Sequence, residues 1–297
     1  MLKFSIANMN KIKVNGNTRT FDIQIPFELE PSMRYPLLIA LHGRAGNAKT
    51  IEYISQLTKL AKKRKFIVVY PNGYGLPGRY FYSWNAGFCC GLAYEDKSND
   101  IKYIKMLINS VVESYPINKD QIFITGISNG AMMAYALGTE LNGLIKGIAP
   151  IAGTIGVRST HTSEINTIST PRAPLSVLII HGLKDNRVPF NGGYGRNDKS
   201  FSFLPVSEAV NFWVKADKCS TIPKIEYLSG NSVIKESFTG GTNGSQVVLY
   251  KIIEGSHSWP GGKKTLGDDG IPCNKKICDA SEIIWDFFTQ IINNKAK

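Results

Sequence analysis

The sequence predicts an α/β protein whose mostly parallel central sheet is flanked by helices, and three observations carry that expectation. Short runs rich in β-branched and aromatic residues alternate with longer segments of helical period. With 297 residues, 43% hydrophobic and 20% charged, the chain can bury a large core and is not a disordered one. No run approaches the roughly 18 consecutive apolar residues that a membrane span needs.

The strands expected in order are Phe21 to Ile25, Leu37 to Leu41, Phe66 to Tyr70, Gln121 to Thr125, Ile145 to Pro150, Val177 to Ile180 and Val247 to Ile253. Each is a compact apolar run of the kind a sheet buries on both faces. Between them, Ile51, Ile54, Leu57 and Leu60 recur on one side of a helix from about Thr50 to Arg64. Ile101, Ile104, Ile108, Val111 and Tyr115 do the same from Asn99 to Ser114. Further helices should follow Ser128, span Val206 to Ala216, and close the chain from Ser281 to Ile292. No internal repeat or linker interrupts residues 1–297, so one domain is expected.

The 35 Lys+Arg against 23 Asp+Glu give a net charge of +12. These cations are scattered, without a basic stripe interleaved with aromatics, so the charge serves solubility and nucleic acid is not an expected partner. The densest cluster, Lys62-Lys63-Arg64-Lys65, falls where a helix should end and complements its dipole. The opening residues carry no apolar block typical of a secretion signal, so either the protein stays inside the cell or its signal lies outside this sequence. Of the five cysteines, Cys89 and Cys90 are adjacent, which disfavours a bridge between them, while Cys273 and Cys278 could close a short loop. Cys219 completes the set, and the pairing stays open. No Cys-x-x-Cys or Cys/His cluster suggests a metal site.

The segment Gln121 to Met133 runs from an apolar strand through Gly126-Ile127-Ser128-Asn129-Gly130 into small, helix-favouring residues. That is the Gly-x-Ser-x-Gly pattern of a nucleophile elbow, whose glycines let strand and helix approach while the serine projects above the sheet. A serine hydroxyl needs a base, and there are four histidines. His42 and His181 each end a strand just before Gly and are expected to shape turns; His161 lies in a Ser/Thr-rich stretch. His257, following the last strand, is the expected base. The third member should be a carboxylate between serine and histidine in the chain, as in the α/β-hydrolase fold, and Asp185 follows the strand ending at His181. Asp198 and Glu208 are the competitors, expected to face solvent. For the oxyanion, the amide of Asn129 opens a helix. A second amide should come from the Leu41-His42-Gly43-Arg44-Ala45 turn, Arg44 first and Ala45 as the alternative. Losing one such donor typically costs about 3 to 4 kcal/mol of transition-state stabilisation.

These residues resemble an α/β-hydrolase esterase family, that of the poly(3-hydroxybutyrate) depolymerases, feruloyl esterases and LpqC-like proteins. The resemblance spans most of the chain. It rests on Leu41-His42-Gly43 with Gly46-Asn47, on Tyr70-Pro71-Asn72-Gly73, on Ser83-Trp84-Asn85-Ala86-Gly87 with Cys89-Cys90-Gly91, and on the Ser128, Asp185 and His257 segments. It implies carboxylic-ester hydrolysis without metal or organic cofactor, and export to an extracellular or periplasmic space. Arg44-Ala45 departs from the glycine run common at that place.

Aromatic residues between Tyr70 and Tyr94, namely Tyr74, Tyr80, Phe81, Tyr82, Trp84 and Phe88, could line a cleft or pack beneath the loop. Trp84 and Trp259 are the expected substrate contacts. The connection from Ile151 to Pro174, about two dozen residues, is too short for a large cap domain, which leaves an open site. The expectation is thus a monomeric serine esterase working through an acyl-enzyme on feruloyl or acetyl esters of polysaccharides or on hydroxyalkanoate polyesters and oligomers. Its rivals are a serine peptidase on the same fold and a non-catalytic carbohydrate-binding protein.

Overall fold

The computed structural model describes residues 10–75, 81–160, 162–196, 198–264 and 273–294. His161 and Tyr80 fall outside the described residues, and so does the side chain of Asp198.

Six strands form the parallel centre of a ten-stranded sheet: β3 (Tyr35–Leu41), β4 (Ile67–Pro71), β5 (Ile117–Ile127), β6 (Gly147–Ile151), β9 (Ser176–Gly182) and β14 (Val247–Ile252). All seven strands read from the sequence are present, six of them in this parallel centre. At one edge lie the antiparallel strands β1 (Asn10–Val14) and β2 (Asn17–Gln24), at the other β12 (Lys224–Leu228) and β13 (Val233–Phe238), in the order β1-β2-β4-β3-β5-β6-β9-β14-β13-β12.

Alternate residues of the central strands feed two apolar layers. In β3, Leu37, Ile39 and Leu41 enter one and Leu38 and Ala40 the other. The first layer is closed by α4 (Asp100–Ser114), α5 (Asn129–Glu140) and α6 (Val206–Asp217). The second is closed by α1 (Ala48–Ser55), α2 (Leu57–Arg64) and α7 (Ala280–Asn294), where Phe288 stacks on Phe123 and Trp285 on Phe66 at ring separations of 4.4 and 3.7 Å. The single helix expected over Thr50 to Arg64 is therefore two: Gln56 takes a left-handed conformation (φ 56°) that ends α1 and starts α2. The basic cluster does close α2, with Lys63 reaching Glu282 and Arg64 reaching Asp286 on α7.

A short helix, α3 (Gly91–Glu95), follows the aromatic loop. The connection after β6 forms no large cap. It folds into β7 (Gly156–Ser159) and β8 (Ile165–Thr167), which join β10 (Gly193–Gly195) and β11 (Asp198–Phe203) in a separate four-stranded sheet of order β10-β11-β7-β8. Two chain segments far apart in sequence thus share one small wall beside the main sheet.

Candidate active site

The carboxyl ends of the parallel strands share one edge, where crossover folds place their sites. β5 ends one residue before Ser128, β9 three before Asp185, β14 five before His257, and β3 leads into Gly43-Arg44.

Ser128 is held at φ 58°, ψ −123°, an uncommon conformation for a residue with a side chain, at the head of α5. Its own amide donates to Ile151 O at 2.9 Å, and its carbonyl accepts from Ala131 and Met132. The flanking glycines are sterically required. A Cβ on Gly126 would sit 2.5 Å from Gly130 O and 2.9 Å from Leu41 Cβ, and one on Gly130 would strike the carbonyl oxygens of Leu41 and His42. The helix is locked by Asn129, whose buried side chain accepts from Trp84 N at 2.7 Å and donates to Trp84 O at 2.9 Å.

Asp185 and His257 form a buried pair, with Nδ1 of His257 donating to Asp185 Oδ2 at 2.8 Å. The other carboxyl oxygen accepts from the amides of Arg187 and Val188, both at 2.9 Å, so the tight turn after β9 fixes the carboxylate plane. A second imidazole meets the same carboxylate. His181 Nε2 donates to Val188 O at 2.8 Å and lies 3.3 Å from Asp185 Oδ2. Burial alone would raise the Asp185 carboxyl; the hydrogen bonds from His181 and His257 outweigh it and hold the group well below the usual carboxylate range. With Nδ1 engaged, His257 keeps Nε2 for a proton-transfer partner.

Ser128 and His257 line two adjoining cavities together with Arg44, Ala45 and Arg187. Among the described residues no hydrogen bond joins the Ser128 hydroxyl directly to His257. The larger cavity, about 850 Å³, runs past Asn47, Lys49, Tyr53, Phe81 and Lys264. The smaller, about 300 Å³, is lined by Cys90, Met132 and Val188, and by Phe201 and Phe203 of the small sheet. The two phenyl rings there stand edge to face, with centroids 5.2 Å apart.

Residues 91–212 match the family model described as phospholipase/carboxylesterase. Among curated proteins, the chain is 22% identical over 282 residues to feruloyl esterase C of Emericella nidulans, covering 93% of this chain and 85% of that protein. It is 26% identical over 200 residues to a protein named probable feruloyl esterase C from Aspergillus clavatus, covering 66% of this chain and 64% of that one. The relative from Nocardia uniformis subsp. tsuyamanensis, named putative esterase NocK, is 24% identical over 241 residues and is spanned over 66% of its length, so these two relatives are each matched over just under two thirds of their own length. Among solved structures, acetyl xylan esterase from Aspergillus awamori superposes with a TM-score of 0.60 at 13% identity, over 95% of this chain and 99% of that one. The fold is that of the α/β-hydrolases. A ferulic acid esterase from Anaeromyces mucronatus, solved with ferulic acid, shares it at a TM-score of 0.54 and 17% identity, over 87% and 88% of the two chains.

Within this hydrolase fold, several expectations need correction. Trp84 and Trp259 do not face the cleft. Both are buried, with Trp84 Nε1 donating to His42 O at 2.9 Å and Trp259 Nε1 donating to Ser281 Oγ at 3.0 Å. Of the loop aromatics, Phe81 is exposed and lines the larger cavity, whereas Phe88 packs beneath. Ala45 is excluded as an oxyanion donor because its amide donates to Tyr82 O at 2.8 Å. Cys89 and Cys90 are paired with each other, across a cis peptide bond, and not with distant partners. Cys273 and Cys278 are free thiols, and burial pushes the Cys278 thiol up to about 12.

Other assignments stand as expected. His42 is a buried turn residue: Nδ1 donates to Gly43 O at 2.7 Å and Nε2 accepts from Gly73 N at 2.9 Å, while burial lowers its pKa to about 4 and keeps it neutral. Glu208 faces solvent on α6. The contact of His181 with Asp185 was not foreseen. Their spacing of four residues around a strand end does not by itself say that the two side chains meet. No cluster of three or more His, Cys, Asp or Glu suited to a metal occurs among the described residues.

Proposed function

We propose that this chain is a serine carboxylic-ester hydrolase working through an acyl-enzyme. The observation that carries the reading is the buried Asp185–His257 pair beside a serine held at φ 58° on the same cavity wall. In this mechanism His257 Nε2 takes the Ser128 proton as Oγ attacks the ester carbonyl, Asp185 orients the imidazole and stabilises its cation, and the amides of Arg44 and Asn129 bind the oxyanion. His257 then passes the proton to the departing alcohol. Water, activated by the same imidazole, releases the acid. On this route the Ser128–His257 hydrogen bond tightens as substrate binds.

The smaller cavity, lined by Phe201, Phe203, Met132 and Cys90, suits an apolar or aromatic acyl group. The larger one is open toward solvent, as a sugar or a polymer chain requires, and the protein acts as a monomer. Feruloyl and acetyl esters of polysaccharides, and hydroxyalkanoate polyesters, are the substrate classes in view. The test is turnover of a chromogenic short-chain ester and labelling by an organophosphonate, with Ser128→Ala alongside. Turnover and labelling should both vanish in the variant; equal turnover by the two proteins would reject the assignment. Methyl ferulate, acetylated xylan and hydroxybutyrate oligomers then rank the substrates.

A further inference from the structure

Residues 82–85 lie outside the named strands, yet their four consecutive amides are held by four different parts of the molecule. Tyr82 N donates to Gly46 O at 3.1 Å, Ser83 N to Tyr74 O at 2.9 Å, Trp84 N to Asn129 Oδ1 at 2.7 Å and Asn85 N to Asp100 Oδ2 at 2.8 Å. The carbonyls are engaged as well. Tyr82 O accepts from Ala45 N at 2.8 Å, Ser83 O from Tyr74 N at 2.8 Å and Trp84 O from Asn129 Nδ2 at 2.9 Å. Asp100, buried at the head of α4, pairs with buried Arg19 at 2.6 Å, so the far end of the segment is pinned to the body of the fold. Connecting segments generally leave such groups to water; here they are spent on holding neighbouring turns in place.

Trp84 stands at the middle of this arrangement. Its backbone grips the side chain of Asn129, whose own amide opens α5 beside Ser128. Its indole Nε1 reaches the other way, donating at 2.9 Å to His42 O in the turn that leads to Arg44. The ring is fully buried, 5.0 Å from the His42 imidazole and out of a substrate's reach. One residue thus touches both segments that carry the oxyanion amides of the proposed mechanism. From this juxtaposition we infer that Trp84 is the positioning residue of the oxyanion site, fixing the spacing between the Arg44 and Asn129 amides. The inference rests on the esterase reading and assigns the geometry of its charge-stabilising donors to a residue that never meets the ester. Such donors are effective because they need not move as charge develops on the carbonyl oxygen. A misplacement of about 1 Å can cost roughly 10² in rate.

The test compares para-nitrophenyl acetate with its thiono analogue, in which sulfur replaces the carbonyl oxygen, each rate being divided by that for hydroxide. Donors aimed at an oxyanion serve the longer C=S bond and its weakly accepting sulfur poorly, so the oxygen-to-sulfur ratio reports on the oxyanion site and not on folding. The unmodified protein should favour the oxygen ester by about 10² or more, the worth of one donor. Trp84→Phe keeps a ring in the core and loses the bond to His42 O. Its kcat for the oxygen ester should fall about tenfold with KM little changed, and for the thionoester less than about threefold, so the ratio drops severalfold. Asn129→Leu keeps its own amide and the indole but releases Trp84 N and O; it should lower the ratio likewise, and it decides the matter should Trp84→Phe not fold. Trp213→Phe is the control, an equally buried indole on α6 whose Nε1 has no acceptor among the described residues, and its ratio should stay at the wild-type value. A folded Trp84→Phe with the wild-type ratio, or a Trp213→Phe that lowers it equally, overturns the inference while leaving the esterase intact. No turnover of the oxygen ester by the unmodified protein overturns the esterase reading and this inference with it.

Discussion

Asp185→Asn should remove almost all activity while leaving the fold in place, and the structure says why the loss is chemical. The carboxylate is gripped on one side by the amides of Arg187 and Val188, both at 2.9 Å from Oδ1. Those two donors require an acceptor, so the asparagine oxygen must stay there and its NH2 must occupy the place of Oδ2. That NH2 then meets His257 Nδ1 at about the present 2.8 Å and His181 Nε2–H at 3.3 Å, a donor against a donor. His257 can accept the new hydrogen bond only by moving its proton to Nε2, which turns a base facing Ser128 into a donor. The same tautomer trap in another serine hydrolase costs roughly four powers of ten in kcat. At about 1.36 kcal/mol per factor of ten, that is ~5.5 kcal/mol of transition-state stabilisation. Initial rates with para-nitrophenyl acetate measure it, with circular dichroism and thermal melting as the check on folding. A folded variant that keeps more than about a tenth of the activity would refute the pairing of Asp185 with His257 as the catalytic couple.

His181→Phe should lower kcat about tenfold with KM little changed, since Asp185 loses one charge-assisted donor of ~1.5 kcal/mol and Val188 O loses its partner; an unchanged kcat would reduce His181 to a turn residue. Asp217 is buried on α6, where Oδ1 accepts from Leu175 N at 2.8 Å and Oδ2 has no partner, and burial raises its pKa from 3.8 to about 7. Its folded pKa lies above the unfolded one, so stability present below about pH 4 is lost as pH rises through 7, by up to ~4 kcal/mol. Asp217→Asn should therefore flatten that decline and raise Tm at pH 8, and denaturant titrations of both proteins with identical pH profiles would contradict it. Gly130→Ala should cost several kcal/mol of stability and abolish turnover, because its Cβ has the backbone carbonyls of Leu41 and His42 in its way. Gly143→Ala, with open space around it, should leave both untouched, as melting curves and rates would show.

The parts of the fold legible in the sequence are those buried on both faces. Strands such as Leu37 to Leu41 or Val177 to Ile180 are unbroken apolar runs because helices cover both sides of the sheet. The strands that escaped notice are edge or cap strands: β12 (Lys-Ile-Glu-Tyr-Leu) is largely exposed and β8 wholly so, and neither has a run to detect. The break at Gln56 carries no Gly or Pro to announce it. In the candidate site, Ser128, Asp185 and His257 were named from the Gly-x-Ser-x-Gly motif, the choice among four histidines, strand ends and chain order, and the structure joins Asp185 to His257 and sets Ser128 on the same cavity as His257. Trp84 and Trp259 were misjudged because proximity to a motif in sequence does not say which side of a turn a ring falls on. Here each ring turns inward, where its indole N–H finds an internal acceptor. The Asp185–His181 contact required coordinates, since it depends on how sharply the chain bends between Gly182 and Val188.

The small sheet divides labour within the molecule. Phe201 and Phe203 stand on β11, whose backbone pairs with β7 and β10, and none of these strands belongs to the sheet that presents Ser128, Asp185 and His257. On the proposed reading, the cavity walls given by Phe201 and Phe203 can thus be exchanged on one platform while the candidate reactive atoms stay registered on another. Drift in substrate choice therefore need not erode the chemistry, and a library randomised at positions 201 and 203 is a direct route to retargeting this protein.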